Sequence, residues 1–395
     1  MEINTSMKRL LRIIWFLIKI CIAYVCTFFI KIMKPDMRDI WILSERGDDA
    51  RDNGYFFYKY LKENHPEQKA VYIIKKTSSD YSRVEELGKV IEYGSFKHYI
   101  YYALCRVRIS SSVWGGDIPK ADYVRQLPRL FQKKNVFLQH GIIKDFQPGL
   151  EYPNIQPDLF ICGAKPEYDY VKSEFNHPEG VVRYTGLARF DNLHQYKEKK
   201  QILIMPTFRK WLQNITVEEF LDSEFYKEWN SILCDSNLNE RLLKSNIKLI
   251  FYPHYELQKF VDCFNNASSN IVIADFAHFD VQQLLKESQL LITDFSSVFF
   301  DFGYMGKPVI YFQFDRKKYI NEHYDFTKGY FSYDEMGFGK VVYQSNKLIS
   351  EILECMKNNF SLDEKFRMRI DKFFELKDNK NSERIYDAIH KAIYH

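Results

Sequence analysis

Leu290–Gln313 reads LLITDFSSVFFDFGYMGKPVIYFQ, and this stretch decides the fold class. It begins with the apolar run LLI, which is typical of a buried strand. Asp294–Ser297 interrupts the run with small polar residues, and Val298–Met305 reads as an apolar helix. Val309–Phe312 is a second apolar run. Strand, polar turn, helix and strand in this order form one unit of a parallel α/β sheet.

The polar turn of this stretch lies where the carboxyl end of a strand meets the N-terminus of a helix. Unpaired backbone N–H groups and the helix dipole favour an anion at such a point. Ser296 and Ser297 add hydroxyl donors, and Thr293 can add a third. The turn is therefore a candidate phosphate or pyrophosphate site without a glycine-rich loop. The same residues also suit a simple helix N-cap, where Asp and Ser are preferred.

The composition predicts a two-domain protein with reduced cysteines. A chain of 395 residues exceeds one ordinary core, and its 46% apolar residues allow large cores to be buried. The formal charge of +4 is small, and basic and acidic residues are interleaved, so nucleic acid is not expected as a partner. The seven cysteines are scattered without a CxxC pair, which favours a cytoplasmic compartment over a disulfide framework or a zinc site.

Residues 1–34 are predicted to form a membrane-associating helix. Leu10–Met33 is strongly apolar, and no small-residue cleavage site of a signal peptide follows it. At about 100° per residue, the basic side chains of this segment fall within one arc of about 140°. They are Lys8, Arg9, Arg12, Lys19, Lys31 and Lys34, and the opposite side carries Ile14, Leu17, Ile18, Val25 and Phe28.

This pattern favours an amphipathic helix that lies in an anionic membrane surface. The protein would then be peripheral, on the cytoplasmic face of the cell membrane. The length of the apolar run also allows a spanning helix. A core-facing helix with snorkelling lysines is the third interpretation.

Beyond residue 34, strands and helices alternate, which predicts two doubly wound parallel-sheet domains. Asp191–Lys200 is charged and poor in apolar residues, so we interpret it as the linker between domains 35–195 and 196–395. Val217–Asp235 is predicted to be one helix, and the chain after Lys347 is predicted to be wholly helical. Two α/β domains that face a cleft constitute the GT-B arrangement, in which ligands bind beyond the carboxyl ends of the strands.

In the first domain, His140 and Arg189 follow predicted strands. His140 comes directly after an apolar strand, and Gly141 permits a sharp turn and a close approach of a ligand. A histidine at this position is a candidate general base, although a bond to a loop carbonyl would make it structural. Arg189 is a candidate phosphate clamp, or else an exposed linker residue.

In the second domain, Thr207 and Arg209 follow the strand ILIM, and His254 follows KLIFY. A histidine at the second strand end can stabilise charge on a phosphate or a leaving group. Asp301 lies about one helical turn beyond Ser297. It is a candidate partner for a ribose or polyol hydroxyl, or else a cap partner of its own turn.

Taken together, these motifs resemble the CDP-glycerol glycerophosphotransferase family of teichoic-acid and capsule synthesis. The matching stretches occur in the family's order. They are QHG at Gln139–Gly141, GLARFD at Gly186–Asp191, PTFR at Pro206–Arg209, YPH at Tyr252–His254 and TDFSSVFFD at Thr293–Asp301. The chain departs from the family at Tyr252, where some members carry a basic residue, and at Phe208, where tryptophan is usual.

The resemblance implies that His140 and His254 are the catalytic residues. It also implies donor-binding roles for Gly141, Ile142, Ile143, Lys144, Arg189, Thr207, Arg209, Ser296, Ser297 and Asp301. Neither a DxD pair nor a His/carboxylate cluster stands out in the sequence, so we expect neither a metal nor another cofactor.

We therefore expect a transferase that moves a polyol phosphate, with glycerol phosphate as the first candidate, from a CDP-activated donor. The acceptor would be a hydroxyl of a lipid-linked teichoic-acid or capsule-type molecule, and CMP would be released. A GT-B glycosyltransferase that uses a nucleotide sugar in cell-surface polysaccharide synthesis would share the fold and the serine turn. A non-catalytic scaffold that binds polymer at the membrane is the alternative from a different class.

Overall fold

The computed structural model describes residues 5–124, 132–264, 268–323 and 327–394, with side chains from residue 10 onward except that of Ala121. The chain divides into two compact units. The first runs as far as Ile142 and also contains Pro148–Asn192 and the chain from Asp378 onward. The second contains Ile143–Gln147 and Leu193–Lys377. Each unit is built on its own parallel β-sheet.

Seven parallel strands form the sheet of the first unit. They are β1 (Trp41–Ser44), β2 (Ala70–Ile74), β3 (Val90–Glu92), β4 (Val107–Ser110), β5 (Lys134–Phe137), β6 (Leu159–Cys162) and β7 (Val182–Tyr184). The order β3-β2-β1-β4-β5-β6-β7 places the topological switch point between β1 and β4. Strands such as WILS and LFIC are buried throughout, which explains their continuous apolar runs.

Helices and short 3₁₀ turns connect these strands. The helices are α1 (Thr5–Met33), α2 (Asn53–Asn64), α3 (Tyr81–Glu85), α4 (Phe96–Leu104), α5 (Ala121–Val124), α6 (Lys165–Glu174) and, at the end of the chain, α16 (Asn381–Tyr394). The 3₁₀ turns are Pro35–Arg38, Pro148–Leu150 and Ala188–Leu193.

The second unit has a six-stranded parallel sheet of the same winding. Its strands are β8 (Gln201–Met205), β9 (Lys248–Phe251), β10 (Ile271–Ile273), β11 (Leu290–Thr293), β12 (Val309–Phe312) and β13 (Gly339–Val342). The order is β10-β9-β8-β11-β12-β13, so the switch point lies between β8 and β11. Leu290–Gln313 thus supplies β11 and β12, on one side of this switch point.

The remaining helices belong to the second unit. They are α7 (Val217–Asp222), α8 (Glu224–Leu233), α9 (Ser236–Ser245), α10 (Val281–Glu287), α11 (Val298–Tyr304), α12 (Arg316–Glu322), α13 (Tyr333–Met336), α14 (Ser345–Lys357) and α15 (Glu364–Phe373). The 3₁₀ turns are Lys210–Leu212 and Tyr255–Cys263. The core of this unit gathers Trp229 of α8, Leu249 and Phe251 of β9, and Ile292 of β11.

The predicted alternation of strands and helices is present, but the single helix predicted over Val217–Asp235 is wrong. The helical segment breaks into α7 and α8 at Ser223, whose backbone is extended (φ −66°, ψ 147°). The Ser223 hydroxyl accepts a hydrogen bond from the backbone N–H of Tyr226 (3.1 Å) and so caps α8. Helices α5, α6, α9, α12 and α13 and strand β13 were also not predicted from the sequence.

The two units divide the chain differently from the predicted domains 35–195 and 196–395. The last helix, α16, belongs to the first unit, because Asp191 accepts hydrogen bonds from the backbone N–H groups of Asn381 (2.9 Å) and Ser382 (2.8 Å). Ile143–Gln147 belongs to the second unit, where the backbone N–H of Phe146 donates to the Thr327 carbonyl (3.0 Å). The hydrogen bonds in both places join residues that are far apart in sequence.

Helix α1 is part of the first unit and buries one stripe along its length. Phe16, Ile20, Ala23 and Thr27 lie on this stripe, and the first three belong to the core that surrounds β1 and α4. At about 100° per residue, the stripe falls within the arc that carries Arg12 and Lys19. The side that faces the protein is therefore the side predicted to be basic. The side chains of Lys8 and Arg9 lie outside the described residues.

The opposite side of α1 is apolar and exposed. It carries Ile14, Leu17, Ile18, Val25 and Phe28, and also Leu10, Leu11, Trp15, Ile22, Phe29, Ile32 and Met33. In the described part of the chain, Leu10–Met33 is the one helical segment long and apolar enough to cross a membrane. A contiguous exposed surface of large apolar side chains marks an interaction site, so α1 fits membrane association.

Candidate active site

His140 lies just beyond the carboxyl end of β5, on a tight turn that side chains hold in place. Gln139 before it has a positive φ of 62°, in the left-handed region that non-glycine residues seldom adopt. Its side-chain amide donates to the Ile161 carbonyl (2.6 Å) and to Glu167 (3.2 Å), and its own carbonyl accepts from Asn53 Nδ2 (2.8 Å). These hydrogen bonds hold the turn that carries His140 in place.

Asp52 contacts the imidazole of His140, and Arg189 contacts Asp52. Asp52 follows β1 and precedes α2, and its Oδ2 lies 2.6 Å from His140 Nδ1. Arg189, in the 3₁₀ turn after β7, donates from Nη1 to Asp52 Oδ1 (2.8 Å) and to the His140 carbonyl (2.7 Å). The carboxylate thus binds one cationic side chain and the imidazole at once.

This arrangement fixes which nitrogen of His140 can act as a base. Burial raises the pKa of Asp52, but His140 and Arg189 outweigh it and hold the pKa below its usual value. An ionised Asp52 is only an acceptor, so Nδ1 of His140 must carry the proton. The Nε2 lone pair is then available, and the His140 side chain is 70% exposed.

A second buried acidic residue, Glu45, binds the backbone of this loop. Its oxygens accept from the backbone N–H groups of Arg51 (3.0 Å), Asp52 (2.9 Å) and Tyr55 (2.9 Å). Burial, then the nearby charges of Asp52 and Asp49, raise the pKa of Glu45 to about 8. Glu45 therefore orders the backbone that carries Asp52.

In the second unit, side chains after β8, β11 and β12 meet at the switch point. Thr207 after β8 donates its backbone N–H to Asp294 Oδ1 (2.9 Å), directly after β11. Arg209 lies between Asp294 (2.9 Å) and Asp315 (2.6 Å), the latter beyond β12. The Thr207 hydroxyl oxygen is buried and has no hydrogen-bond partner among the described residues. A buried polar atom of this kind suits a ligand contact.

Arg209, which we predicted to bind the donor directly, is fully buried at 0% exposure. Burial alone would lower its pKa, but Asp294 and Asp315 raise it above the usual arginine value. Its guanidinium also donates to the Thr207 carbonyl (2.7 Å). In this structure Arg209 therefore holds the loop that carries Thr207. Arg189 is likewise buried against Asp52.

His254 lies just beyond β9. Its Nδ1 is a hydrogen-bond acceptor, whereas Nδ1 of His140 is a donor. Nδ1 of His254 accepts a hydrogen bond from the backbone N–H of Glu256 (3.2 Å). In the neutral ring the proton must therefore lie on Nε2, which makes that nitrogen a donor. The ring stacks on Phe208 with centroids 5.0 Å apart and an interplanar angle of 28°. His254 is exposed.

The serine turn before α11 keeps one hydroxyl out of the helix cap. Ser297 occupies the N-cap position, but its side chain makes no capping bond. Ser296 accepts weakly from the backbone N–H of Val298 (3.4 Å). Both serines are partly exposed, whereas Asp301 is buried within α11 at 3% exposure. The serines are therefore accessible to a ligand, whereas Asp301 is largely shielded from one.

The stretch Gly141–Lys144 splits between the two units. Gly141 and Ile142 belong to the first unit, and Ile143 and Lys144 to the second. Both isoleucine side chains are buried at 3% exposure, so only their backbone can contact a ligand. Lys144 forms a salt bridge with Asp145, and its ammonium lies 5.7 Å from the centroid of the Tyr333 ring.

Four carboxylates of these sites, Asp52, Glu45, Asp294 and Asp315, were not predicted from the sequence. Each of them follows a strand of a switch point or its neighbour, which is the position where we expected functional residues. That position was the available signal. Among the described residues, no group of three or more His, Cys, Asp or Glu side chains can hold a metal ion.

A family model described as CDP-Glycerol:Poly(glycerophosphate) glycerophosphotransferase matches residues 26–391 of this chain. The minor teichoic acid biosynthesis protein GgaB of Bacillus subtilis (strain 168) is 36% identical over 365 residues. That alignment covers 89% of this chain but 40% of GgaB, so the chain spans less than half of this relative. The teichoic acid glycerol-phosphate transferase of Staphylococcus aureus (strain NCTC 8325 / PS 47) is 22% identical, with 92% of this chain and 96% of that protein covered.

Among solved structures, the wall teichoic acid polymerase TagF superposes with a TM-score of 0.68. The sequences are 19% identical, and the match covers 100% of this chain and 99% of that chain. At this identity the likeness concerns the fold, and it confirms the predicted GT-B-like pair of doubly wound domains. The family model covers most of the chain and confirms the resemblance that its motifs carry. The chain therefore belongs to the CDP-glycerol:poly(glycerophosphate) glycerophosphotransferase family.

Proposed function

We propose that this chain is a phosphotransferase that moves glycerol phosphate from CDP-glycerol to a hydroxyl of a teichoic-acid acceptor. The acceptor is lipid-linked, and CMP is the second product. Family membership supports the donor class, and both GgaB and the Staphylococcus aureus relative are named for teichoic acid. CDP-ribitol is the nearest alternative donor.

The opposite hydrogen bonding of the two histidines is the observation that carries this proposal. His140 Nδ1 faces a carboxylate, so its Nε2 can accept a proton. His254 Nδ1 accepts from a backbone N–H, so its Nε2 can donate. Transfer of a phosphoryl group to an alcohol needs one group of each kind, a base for the nucleophile and a donor for the leaving group.

The reaction then proceeds by one displacement at the β-phosphorus of the donor. The acceptor oxygen forms a bond to this phosphorus, and the bond from the phosphorus to the bridging oxygen breaks. His140 Nε2 takes the hydroxyl proton as the new phosphodiester forms. His254 Nε2 donates a hydrogen bond to the phosphate of the departing CMP. Such transfers depend mainly on positioning and on stabilisation of charge.

The remaining residues divide into those that bind the donor and those that position the binding groups. Ser296, Ser297 and Thr207 offer hydroxyl groups for the pyrophosphate, and Gly141–Lys144 offers backbone N–H groups. Lys144 adds a positive charge. Arg189, Arg209 and Asp301 are buried, so we assign them positioning roles. Arg189 holds Asp52, and Arg209 holds the loop that carries Thr207. Asp301 supports the helix that follows the serine turn.

We further propose that the enzyme lies on the cytoplasmic surface of the membrane, with helix α1 in the plane of the bilayer. Its buried stripe packs along the unit for several turns, and the apolar side points away from it. A helix that packs on its own unit in this way can enter a bilayer only with its exposed side. The exposed basic residues Arg12 and Lys34 favour an anionic surface.

Release of CMP tests the function directly. We expect the full-length protein to release CMP from CDP-glycerol in the presence of acceptor, and His140→Ala and His254→Ala to reduce turnover by at least about 100-fold. CDP-ribitol and UDP-sugars serve as competing donors. Turnover of a UDP-sugar alone would favour a GT-B glycosyltransferase, and release of no product from any donor would favour a binding scaffold.

A further inference from the structure

A cavity of about 340 Å³ lies between α1, α4 and the segment that leads into α5. Three cations, Arg12, Lys19 and Lys120, line it together with the aromatic rings of Trp15, Tyr99 and Tyr123. None of these residues belongs to the site described above. The cavity therefore needs its own explanation.

The side chains that line this cavity carry a net positive charge, which favours binding of an anion. Against the three cations stands one carboxylate, that of Asp122. Within the described residues, no acidic side chain forms a salt bridge with Arg12, Lys19 or Lys120. The ammonium of Lys19 lies 5.4 Å from the centroid of the Trp15 ring and 5.7 Å from that of Tyr99. Arginine and lysine on a concave surface suit a phosphate, which accepts from both.

The position of the cavity indicates that this phosphate belongs to a lipid. Trp15 is 59% exposed and joins the cavity wall to the exposed apolar side of α1, next to Leu11 and Ile22 on the same helix. An acyl or prenyl chain can lie along this apolar side while its phosphate occupies the cavity. Tryptophan and tyrosine are the side chains that favour the depth of the headgroups.

We propose that the cavity between α1, α4 and α5 binds a lipid-borne phosphate. The proposal rests on the membrane association proposed above and adds a specific headgroup site to it. Two lipids carry the required chemistry: an anionic phospholipid of the bilayer, or the lipid-linked acceptor itself. In either case Lys19 and Lys120 contact the phosphate, and the site holds the enzyme in one orientation on the surface.

Vesicle partitioning of the full-length protein tests the site, with Lys34→Gln as the matched control. Lys34 lies just past the end of α1 and does not line the cavity. Phosphatidylcholine vesicles are prepared with phosphatidylglycerol or, at equal surface charge, with oleate, which has no phosphate. We expect Lys34→Gln to weaken binding to both by about fivefold, the effect of one surface charge. Lys19→Gln and Lys120→Gln should each weaken binding to phosphatidylglycerol vesicles by at least about tenfold, because each also loses a charged hydrogen bond.

A second measurement identifies the lipid. The KM for lipid-linked acceptor is determined in detergent micelles that contain no phospholipid. If the cavity binds the acceptor, Lys19→Gln and Lys120→Gln raise this KM by at least about tenfold, and Lys34→Gln leaves it unchanged. An effect on partitioning alone assigns the site to a bilayer phospholipid.

The proposal is overturned if both cavity variants match Lys34→Gln in both measurements, or if oleate vesicles lose as much affinity as phosphatidylglycerol vesicles. Lys19→Gln and Lys120→Gln lie on different segments, and thermal unfolding of each variant shows whether it is folded. Failure of the wild-type protein to bind any vesicle would instead refute the membrane association. Absence of CMP release would refute the transferase function and leave the partitioning result standing.

Discussion

Replacement of Asp52 by asparagine tests the proposed chemistry most directly, because it keeps the shape of the side chain and removes its charge. Arg189 has only donors, so the oxygen of the introduced amide must face Arg189 Nη1, which lies 2.8 Å from the native carboxylate. The amide NH₂ group then faces His140 Nδ1 at the position of the present 2.6 Å contact. His140 Nδ1 becomes an acceptor, and the ring proton moves to Nε2, where the lone pair is needed.

The expected loss follows from two contributions. To act as a base, His140 must move its proton back to Nδ1, where it faces the NH₂ group of the introduced amide; two donors facing each other cost about 1–3 kcal/mol. The protonated imidazole also loses its hydrogen bond to a charged carboxylate, which stabilised it by about 1.5–3 kcal/mol. At 1.36 kcal/mol per factor of ten, the sum lowers kcat by about 10²- to 10⁴-fold. Donor KM should change little, because Asp52 is buried and is not among the groups proposed to bind the donor.

The assay is steady-state CMP release at saturating acceptor, with kcat and donor KM determined separately. Asp49→Asn is the matched control, since Asp49 lies in the same loop and accepts from the backbone N–H of Arg46 instead (3.1 Å). Asp49→Asn should retain wild-type kcat. A kcat for Asp52→Asn within about threefold of wild type would refute the reasoning, because even one lost hydrogen bond of about 1 kcal/mol exceeds that factor.

Three further predictions concern stability. Arg209→Ala leaves Asp294 and Asp315 buried without their cation and should lower the free energy of unfolding by about 3–5 kcal/mol in urea titrations; exposed Lys210→Ala should change it by less than about 0.5 kcal/mol. The pKa of Glu45 rises from 4.5 to about 8 on folding, so the folded protein holds a proton that the unfolded chain releases; stability should fall as pH rises between these values, and Glu45→Gln should flatten this slope. Phe16→Ala removes a ring from the core and should cost about 3–5 kcal/mol of stability, whereas exposed Val25→Ala should weaken vesicle binding and leave unfolding unchanged.

Local sequence determined which elements form and where the reactive side chains lie along the chain. Buried parallel strands read as apolar runs, and the residue after each run lies at the carboxyl edge of its sheet. For this reason the sequence alone was enough to place His140, Thr207, His254 and Ser296 at strand ends, and the structure has them there. The same rule applied to β1 would have pointed to Glu45, which directly follows this strand.

Tertiary structure alone decided what each side chain contacts. Asp52 and His140 are 88 residues apart, and Arg209 and Asp315 are 106 residues apart, so neither pair leaves a local pattern. The sequence could not distinguish an arginine that binds phosphate from one that neutralises buried carboxylates, because both lie after strands. Likewise, the basic arc of α1 showed that the helix has two sides. Only the packing of Phe16 and Ile20 on the first unit determined which side faces the protein, since that choice depends on the surface the helix meets.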